Sequence, residues 1–481
     1  MRWNAIAERV CLGVLLLWLA ALPLPFGSIV PKARVPLVVV PLAIGCIAAL
    51  LRLHATRDRT STARPAKTWM WWGLGSLLFI AVASLQLVPL PPSLLRVTSP
   101  ESHAIWSAAS NVASLAGVNV DASHPISIDP RATAFELVRL TALVATFTAF
   151  AILVRTNAQR VTLAVVLCLA ALFETFYGVR EAALERYAIW GWVNRLIFNR
   201  VTGTYVNPNH FAHYIAIVLP MALFLGALLW HRAGRGDIPV ARRLMVLAER
   251  RAVPSAFVVL SAIALAAAVL LAQSRGALLA LGAGTLFVAA LLPGRRMLRV
   301  ACAAGAGAML VVALVIFLGP QRTVARFKPN EFERQTLVGR RIGIATALAV
   351  WQRFPILGCG LGTFERVVFM EQREDLGKVY HHAHNDYAEI AATAGSAGFL
   401  IAMTTLFGGY VVLVRKTFGA AAAELTWSRR AYQAAALASI TIAMVHALYD
   451  FNFFIPANPA TLAAIAGAAA AVIDHDRRTR R

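Results

Sequence analysis

The chain has 481 residues, 59% of them hydrophobic, and a mean hydropathy of +0.66; soluble domains average about 45–50% apolar, so a soluble globular enzyme is excluded. Its formal net charge of +23 is placed in short arginine runs between apolar segments, as in RLHATRDRTSTARPAK (52–67) and RRLMVLAERR (242–251), which is the positive-inside pattern of a multi-pass membrane protein and excludes a nucleic-acid partner. Five scattered cysteines without CxxC or zinc spacing argue against a disulfide framework and a structural metal.

A membrane-spanning helix needs about 20 mainly apolar residues. In chain order, runs of that kind fall at 10–26, 35–53, 70–90, 133–154, 160–178, 211–230, 253–273, 276–293, 298–319, 387–414, 431–450 and 457–474. They predict an all-α, polytopic protein with about twelve transmembrane helices, the shorter ones less able to cross fully. The first run, CLGVLLLWLAALPLPFG, lacks a small-residue cleavage site and is followed by many like it, so it reads as a first span and not as a cleaved signal.

Charge orients these spans. With the N-terminus inside, the inner loops hold Arg52 to Lys67, Arg155 and Arg160, Arg232 to Arg251, Arg295 to Arg299, Arg415 to Arg430 and the basic tail from Arg477. The short outer turns are almost free of Lys and Arg, so both termini are expected in the cytoplasm. Three longer connections then lie outside: 91–132, 179–210 with Trp190 and Trp192 as interfacial anchors, and 320–386.

The last of these carries the polar residues of interest. RRIGIATALAVWQRF (340–354) spaces its apolar residues as an amphipathic helix, ended by Pro355 and by GCGLGTF (358–364). With no strand before it and no βαβ unit around it, that glycine-rich run reads as a tight turn bringing backbone close to a partner and not as a dinucleotide loop. The same segment is rich in arginines, among them Arg340, Arg341, Arg353 and Arg366. Singly each is a solvated surface charge; clustered beside a membrane cavity they suit a phosphate or pyrophosphate.

Arg275, in AQSRGA, sits between two apolar runs with no room for a loop, which marks it either as a functional residue or as one snorkelling to the interface. Glu136 and Arg139, three apart on one helix, are expected to pair with each other, with Arg139 a second-rank candidate. In HHAHNDYAEI (381–390), Asp386 and Glu389 have the D-x-x-E spacing of a capping box, and Asn385 fits the same cap. His382 and His384 are not needed for a cap; a histidine there is a natural general base. Zinc is the competing reading of His-x-His with Asp386, His210 of NPNH being the obvious further ligand.

GRRIGIATALAVWQRFPILGCGLGTFE followed by HHAHNDYAEIAATAGSAGFL, with GTYVNPNHFAHY (203–214) and SRGA (274–277), resembles the signature region of the O-antigen ligase/polymerase superfamily over roughly residues 200–410. One departure is Ile344, where the family usually has Trp. The resemblance implies a bacterial inner-membrane glycosyltransferase that takes a glycan from undecaprenyl pyrophosphate on the periplasmic side and passes it to an acceptor hydroxyl, with no metal or other cofactor. It assigns the pyrophosphate to Arg275 and to Arg340 or its neighbour Arg341, and proton abstraction to His384. Asn207, Asn209, His210, His382, Asn385 and Asp386 support them. On that basis residues 1–199 and 415–481 are flanking membrane helices around a ligase-like core, 200–414. The acceptor is expected to be lipid A core; another lipid-linked glycan (a polymerase) and a protein hydroxyl are the alternatives. A lipid-linked glycan transporter is a reading of another class, disfavoured by polar residues concentrated at the outer face and by the absence of internal repeats.

Overall fold

The apolar runs that fall among the described residues fold as helices, as the sequence predicts. A computed structural model describes residues 2–57, 67–193, 200–234, 238–291, 331–371 and 381–471. Within them the helices are α1 (Arg2–Ala21), α2 (Arg34–Arg57), α3 (Lys67–Ser84), α4 (Pro92–Thr98), α5 (Pro100–Leu115), α6 (Pro130–Leu153), α7 (Asn157–Ala183) and α8 (Pro208–Ala233). They continue as α9 (Val240–Arg250), α10 (Ala252–Leu271), α11 (Arg275–Leu291), α12 (Glu331–Arg353), α13 (Phe364–Glu371), α14 (Asp386–Phe418), α15 (Trp427–His446) and α16 (Ala457–Ala470). The sheet found among the described residues is one hairpin of two-residue strands, Ala188–Ile189 with Trp192–Val193.

Among the described residues seven helices are long and apolar enough to cross a membrane, and the apolar helices Trp71–Leu87 and Arg275–Leu291 are shorter. The expected total of about twelve also counts these two, the helices Trp427–His446 and Ala457–Ala470, which are not among the seven, and the run at 298–319, which lies outside the described residues. Helix α8 is the centre. Its PNHFAHYIAIVLPMALF is buried at almost every position, as a helix apolar all round must be, and α7, α10 and α15 pack around it.

The loops separate into two ends. At one end Arg155 Nη2 donates to Glu8 (3.0 Å), Asn157 Nδ2 to Ser428 Oγ (2.7 Å), and His231 stacks on Trp427 at 4.1 Å. All of these belong to segments that the charge pattern puts inside. At the other end Thr133 Oγ1 donates to Leu361 O (2.9 Å), Ile128 N to Cys359 O (3.1 Å), Asp386 N to Ala447 O (3.0 Å) and Asn458 Nδ2 to His210 O (3.3 Å). The loops predicted outside therefore meet one another.

The glycine-rich turn is the backbone latch its composition predicts. Gly358, Gly360 and Gly362 have φ of +75°, +115° and +71°, a region open to glycine at little cost. A Cβ on Gly358 would lie 2.3 Å from Thr393 O, and one on Gly360 2.5 Å from Ser127 Oγ. The turn is seated against α14 where that helix breaks, at Gly395 (φ 65°, ψ −175°). Ser396 N and Ala397 N there donate to Pro355 O (2.8 Å) and Ile356 O (3.1 Å) of the turn.

Candidate active site

The helix start at 385–389 fixes the histidine cluster. Asn385, with extended backbone (φ −156°, ψ 108°), is the N-cap of α14 and accepts from Ala388 N at 2.9 Å. This corrects the capping box expected from Asp386 and Glu389. Asp386 is the first helical residue; it is fully buried, gives its N–H to Ala447 O (3.0 Å) and accepts from Phe453 N at 3.4 Å. The segment after α15 lies over the helix start and claims it. Glu389, freed from capping, turns to the histidine loop, accepting from Ala383 N (2.9 Å) and pairing with His382 Nδ1 (2.8 Å). Burial disfavours the charged imidazole of His382, but Glu389 outweighs it and raises the pKa above the ordinary value. His384 has φ of +54°, a conformation that costs a non-glycine residue on the order of 1–3 kcal/mol and recurs at functional sites.

The centre of the cluster is a residue that the sequence reading passed over. Asp450 lies just beyond α15, its side chain 1% exposed. Oδ1 faces His384 Nδ1 at 3.3 Å and His210 Nε2 at 3.6 Å, and Oδ2 accepts from Arg340 Nη2 at 3.2 Å. Burial opposes the charge on this carboxylate. Even so, the hydrogen bonds from histidine and the Arg340 guanidinium hold its pKa well below the usual carboxylate range. An ionised carboxylate only accepts, so the proton on His384 Nδ1 points at it, and in the neutral ring Nε2 keeps the lone pair of a base. Phe451 backs the cluster. His382 stacks on it (centroids 4.3 Å apart), while His384 (4.9 Å) and His210 (4.6 Å) meet it edge-on.

The two neighbouring arginines part. Arg340 turns inward to Asp450 and keeps a buried Nε with no hydrogen-bond partner among the described residues; Arg341 is exposed. Arg275 opens α11, half-buried. The glycine after it lies so close to α15 that a Cβ there would sit 2.9 Å from His446 Nε2 and 3.7 Å from Tyr449 Cβ. SRGA is thereby set against the stretch that ends in Asp450.

NPNH divides its roles. Asn207 caps α8 through Asn209 N (2.9 Å), and Asn209 accepts from Arg200 Nη2 (3.2 Å). Arg200 also donates to Ala272 O and Gln273 O (2.9 and 3.1 Å), tying this turn to the start of α11. Arg139 pairs with Glu136, as expected, and donates to Phe453 O (2.9 Å), bracing the 450s loop from below. Two arginines of the outer segment are spent on ion pairs, Arg353 with Glu101 (2.8 Å) and Arg366 with Asp129 (3.4 Å). Arg322, Arg326, Lys328, Arg373 and Lys378 lie outside the described residues.

The structure thus brings His384, His382, Asn385, Asp386, His210 and Arg340 to one place, with Asn207, Asn209 and Arg275 on its flanks, and leaves Arg341 out. Among the described residues no group of three His, Cys, Asp or Glu side chains is arranged to hold a metal ion. The signal for Asp450 was present in ALYDFNFF: an acidic residue closing an apolar run, which the rule applied to Arg275 would also have singled out. Chemically, a base aimed by a buried carboxylate stands beside a guanidinium with donors to spare, an arrangement for activating a hydroxyl near an anionic group.

Residues 260–403 match the family model described as O-antigen ligase, and no curated protein matches the chain. The matched stretch runs from α10 into α14 and includes Arg275, Arg340, His382 and His384. The match supports the O-antigen ligase superfamily and, in general terms, a membrane glycosyltransferase of the ligase/polymerase type.

Proposed function

We propose that the protein is an inner-membrane, inverting glycosyltransferase that moves a glycan from undecaprenyl pyrophosphate to a hydroxyl of lipid A core on the periplasmic side. The observation that carries this reading is His384 donating to buried Asp450, whose other oxygen holds Arg340. His384 Nε2 takes the proton of the acceptor hydroxyl. The oxygen attacks the anomeric carbon from the face opposite the carrier, a new glycosidic C–O bond forms, and the C–O bond to the pyrophosphate breaks. The pyrophosphate leaves with the electron pair, and Arg275 and Arg340 neutralise its growing charge. Pyrophosphate is a good leaving group, so the reaction needs no general acid and, in this reading, no metal. His210 shares Asp450 with His384 and steadies the carboxylate between them.

The test uses purified full-length protein in nanodiscs, the lipid-linked glycan and lipid A core, with released undecaprenyl pyrophosphate as readout. Removing a general base costs about 10²–10⁴-fold in rate, so His384→Ala should leave only residual transfer; a wild-type rate would overturn the assignment. A deletion strain should show a lipopolysaccharide ladder collapsed to bare core, restored by the wild-type gene alone. A ladder of normal length would move ligation to another protein.

A further inference from the structure

Far from the histidine cluster in sequence, α5 and the loop after it line a second, open hollow of about 410 Å³ with mixed polar and apolar walls. Small-molecule sites span roughly 300–1,000 Å³, so it is large enough for a ligand. Its aromatic wall is fixed. The Trp106 ring stacks on His124 with centroids 4.8 Å apart and planes 6° off parallel, and its indole N–H donates to Pro125 O (3.0 Å). His124 is held in turn by Ser110 Oγ (3.1 Å) and by backbone pairing with Leu90. Around this wall stand His103, Ser107, Asn111, Asn119 and Asp121, whose side chains have no hydrogen bond among the described residues. Among the described residues no lysine or arginine lines the hollow.

This lining selects a ligand class. A rigid aromatic beside several unspent amide, hydroxyl and carboxylate groups matches the two sides of a sugar ring, apolar C–H on one and hydroxyls around the edge. A phosphate would meet Asp121 with no cation to offset it, whereas the cluster at Asp450 has Arg340. The hollow is also coupled to the active site. Ile105, on the same helix as Trp106, and Ile128 pack against the buried cluster that contains Ala347 and Val350 of α12 and Ala383, next to His384. Arg353 of α12 pairs with Glu101 of α5 (2.8 Å).

We propose that this hollow is a subsite for an uncharged sugar unit of the glycan being transferred or of its acceptor, a reading that rests on the glycosyltransferase function above. Two rim residues, Asn111 and Asp121, are exposed, and the hydrogen bond found at Asn111, from Ser114 Oγ, goes to its backbone carbonyl, which a side-chain substitution keeps.

The probe experiment is saturation-transfer difference NMR on full-length protein in nanodiscs, with N-acetylglucosamine, galactose and rhamnose as ligands and inorganic phosphate as the anionic control. Wild type and His384→Ala should both give sugar signals. In the Asn111→Ala/Asp121→Ala double variant those signals should fall by at least about fivefold, the loss of one net hydrogen bond. In the transfer assay the same variant should raise KM by about fivefold with kcat unchanged. Whether the KM for donor or for acceptor moves tells which glycan occupies the hollow. Equal signals in wild type and double variant, binding of phosphate alone, or an unchanged KM would each overturn the subsite. Sugar binding that depends on Asn111 and Asp121 in a protein without transfer would instead sink the function and keep the subsite.

Discussion

The two ends of the helix bundle use polar residues in opposite ways. At the end where Glu8, Asn157 and Ser428 meet, bonds are local or pairwise. Thr156 and Gln159 close a capping box on α7, Arg155 reaches Glu8, and Arg160 reaches Asn157. At the other end one buried carboxylate, Asp450, is shared by side chains from the start of α8, from α12 and from the turn before α14. Around it His210 Nε2, Arg340 Nε and Asp386 Oδ1 are buried without a hydrogen-bond partner among the described residues. One end ties its polar groups locally or in pairs, whereas the other draws side chains from three elements onto one buried charge, at a cost in desolvation.

The contrast breaks most sharply at Asp450. Asp450→Asn keeps the shape but loses the charge that orients His384, and transfer should fall by roughly 10²-fold or more in single-turnover assays. A wild-type rate would reduce Asp450 to a structural role. Next in size is the split between neighbours. Arg340→Ala should cost about 10²-fold in transfer, while Arg341→Ala, on the surface, stays within about twofold; equal losses would mean that both reach the pyrophosphate.

A smaller effect concerns pH. The His382 pKa is raised in the folded protein, so its pairing with Glu389 stabilises fully below about pH 6.5, the ordinary imidazole value, and the contribution is lost as pH rises through the raised value. Melting temperature should fall across that alkaline step in wild type and not in His382→Gln. Smallest is Thr156→Ala at the opposite end. It should lower stability by about 1 kcal/mol in denaturant unfolding and leave transfer untouched.

Much of this was legible in the sequence because it rests on local or periodic signals. Span positions, the glycine turn at 358–364, the Glu136–Arg139 pair and the histidine cluster ahead of a helix are all of that kind. What sequence could not assign is partnership across distance. Glu389 has the spacing of a capping residue, and only the segment 447–453 folding over the helix start turns it toward His382. Arg340 and Arg341 are adjacent and chemically alike, and the face of α12 separates them. Asp450 was absorbed into an apolar run whose helix in fact ends at His446, and its partners come from positions 110 and 66 residues earlier.

The break at Gly395 changes what kind of object α14 is. Its first turns, from Asp386 to Ala394, are joined to the rest through a glycine where a Cβ would stand 2.4 Å from Ile356 O. Their carbonyls at Ala392 and Thr393 are taken by Cys359 N and Gly360 N. Those turns are therefore spliced to the glycine-rich segment as much as to the helix whose name they share. Mechanically they belong to the outer layer. The 355–362 turn is thereby joined directly to the turns that follow Asn385 and His384, apart from the long arm beyond Gly395. His384 is thus carried by the layer that holds the glycine-rich turn and not by the long helix behind it.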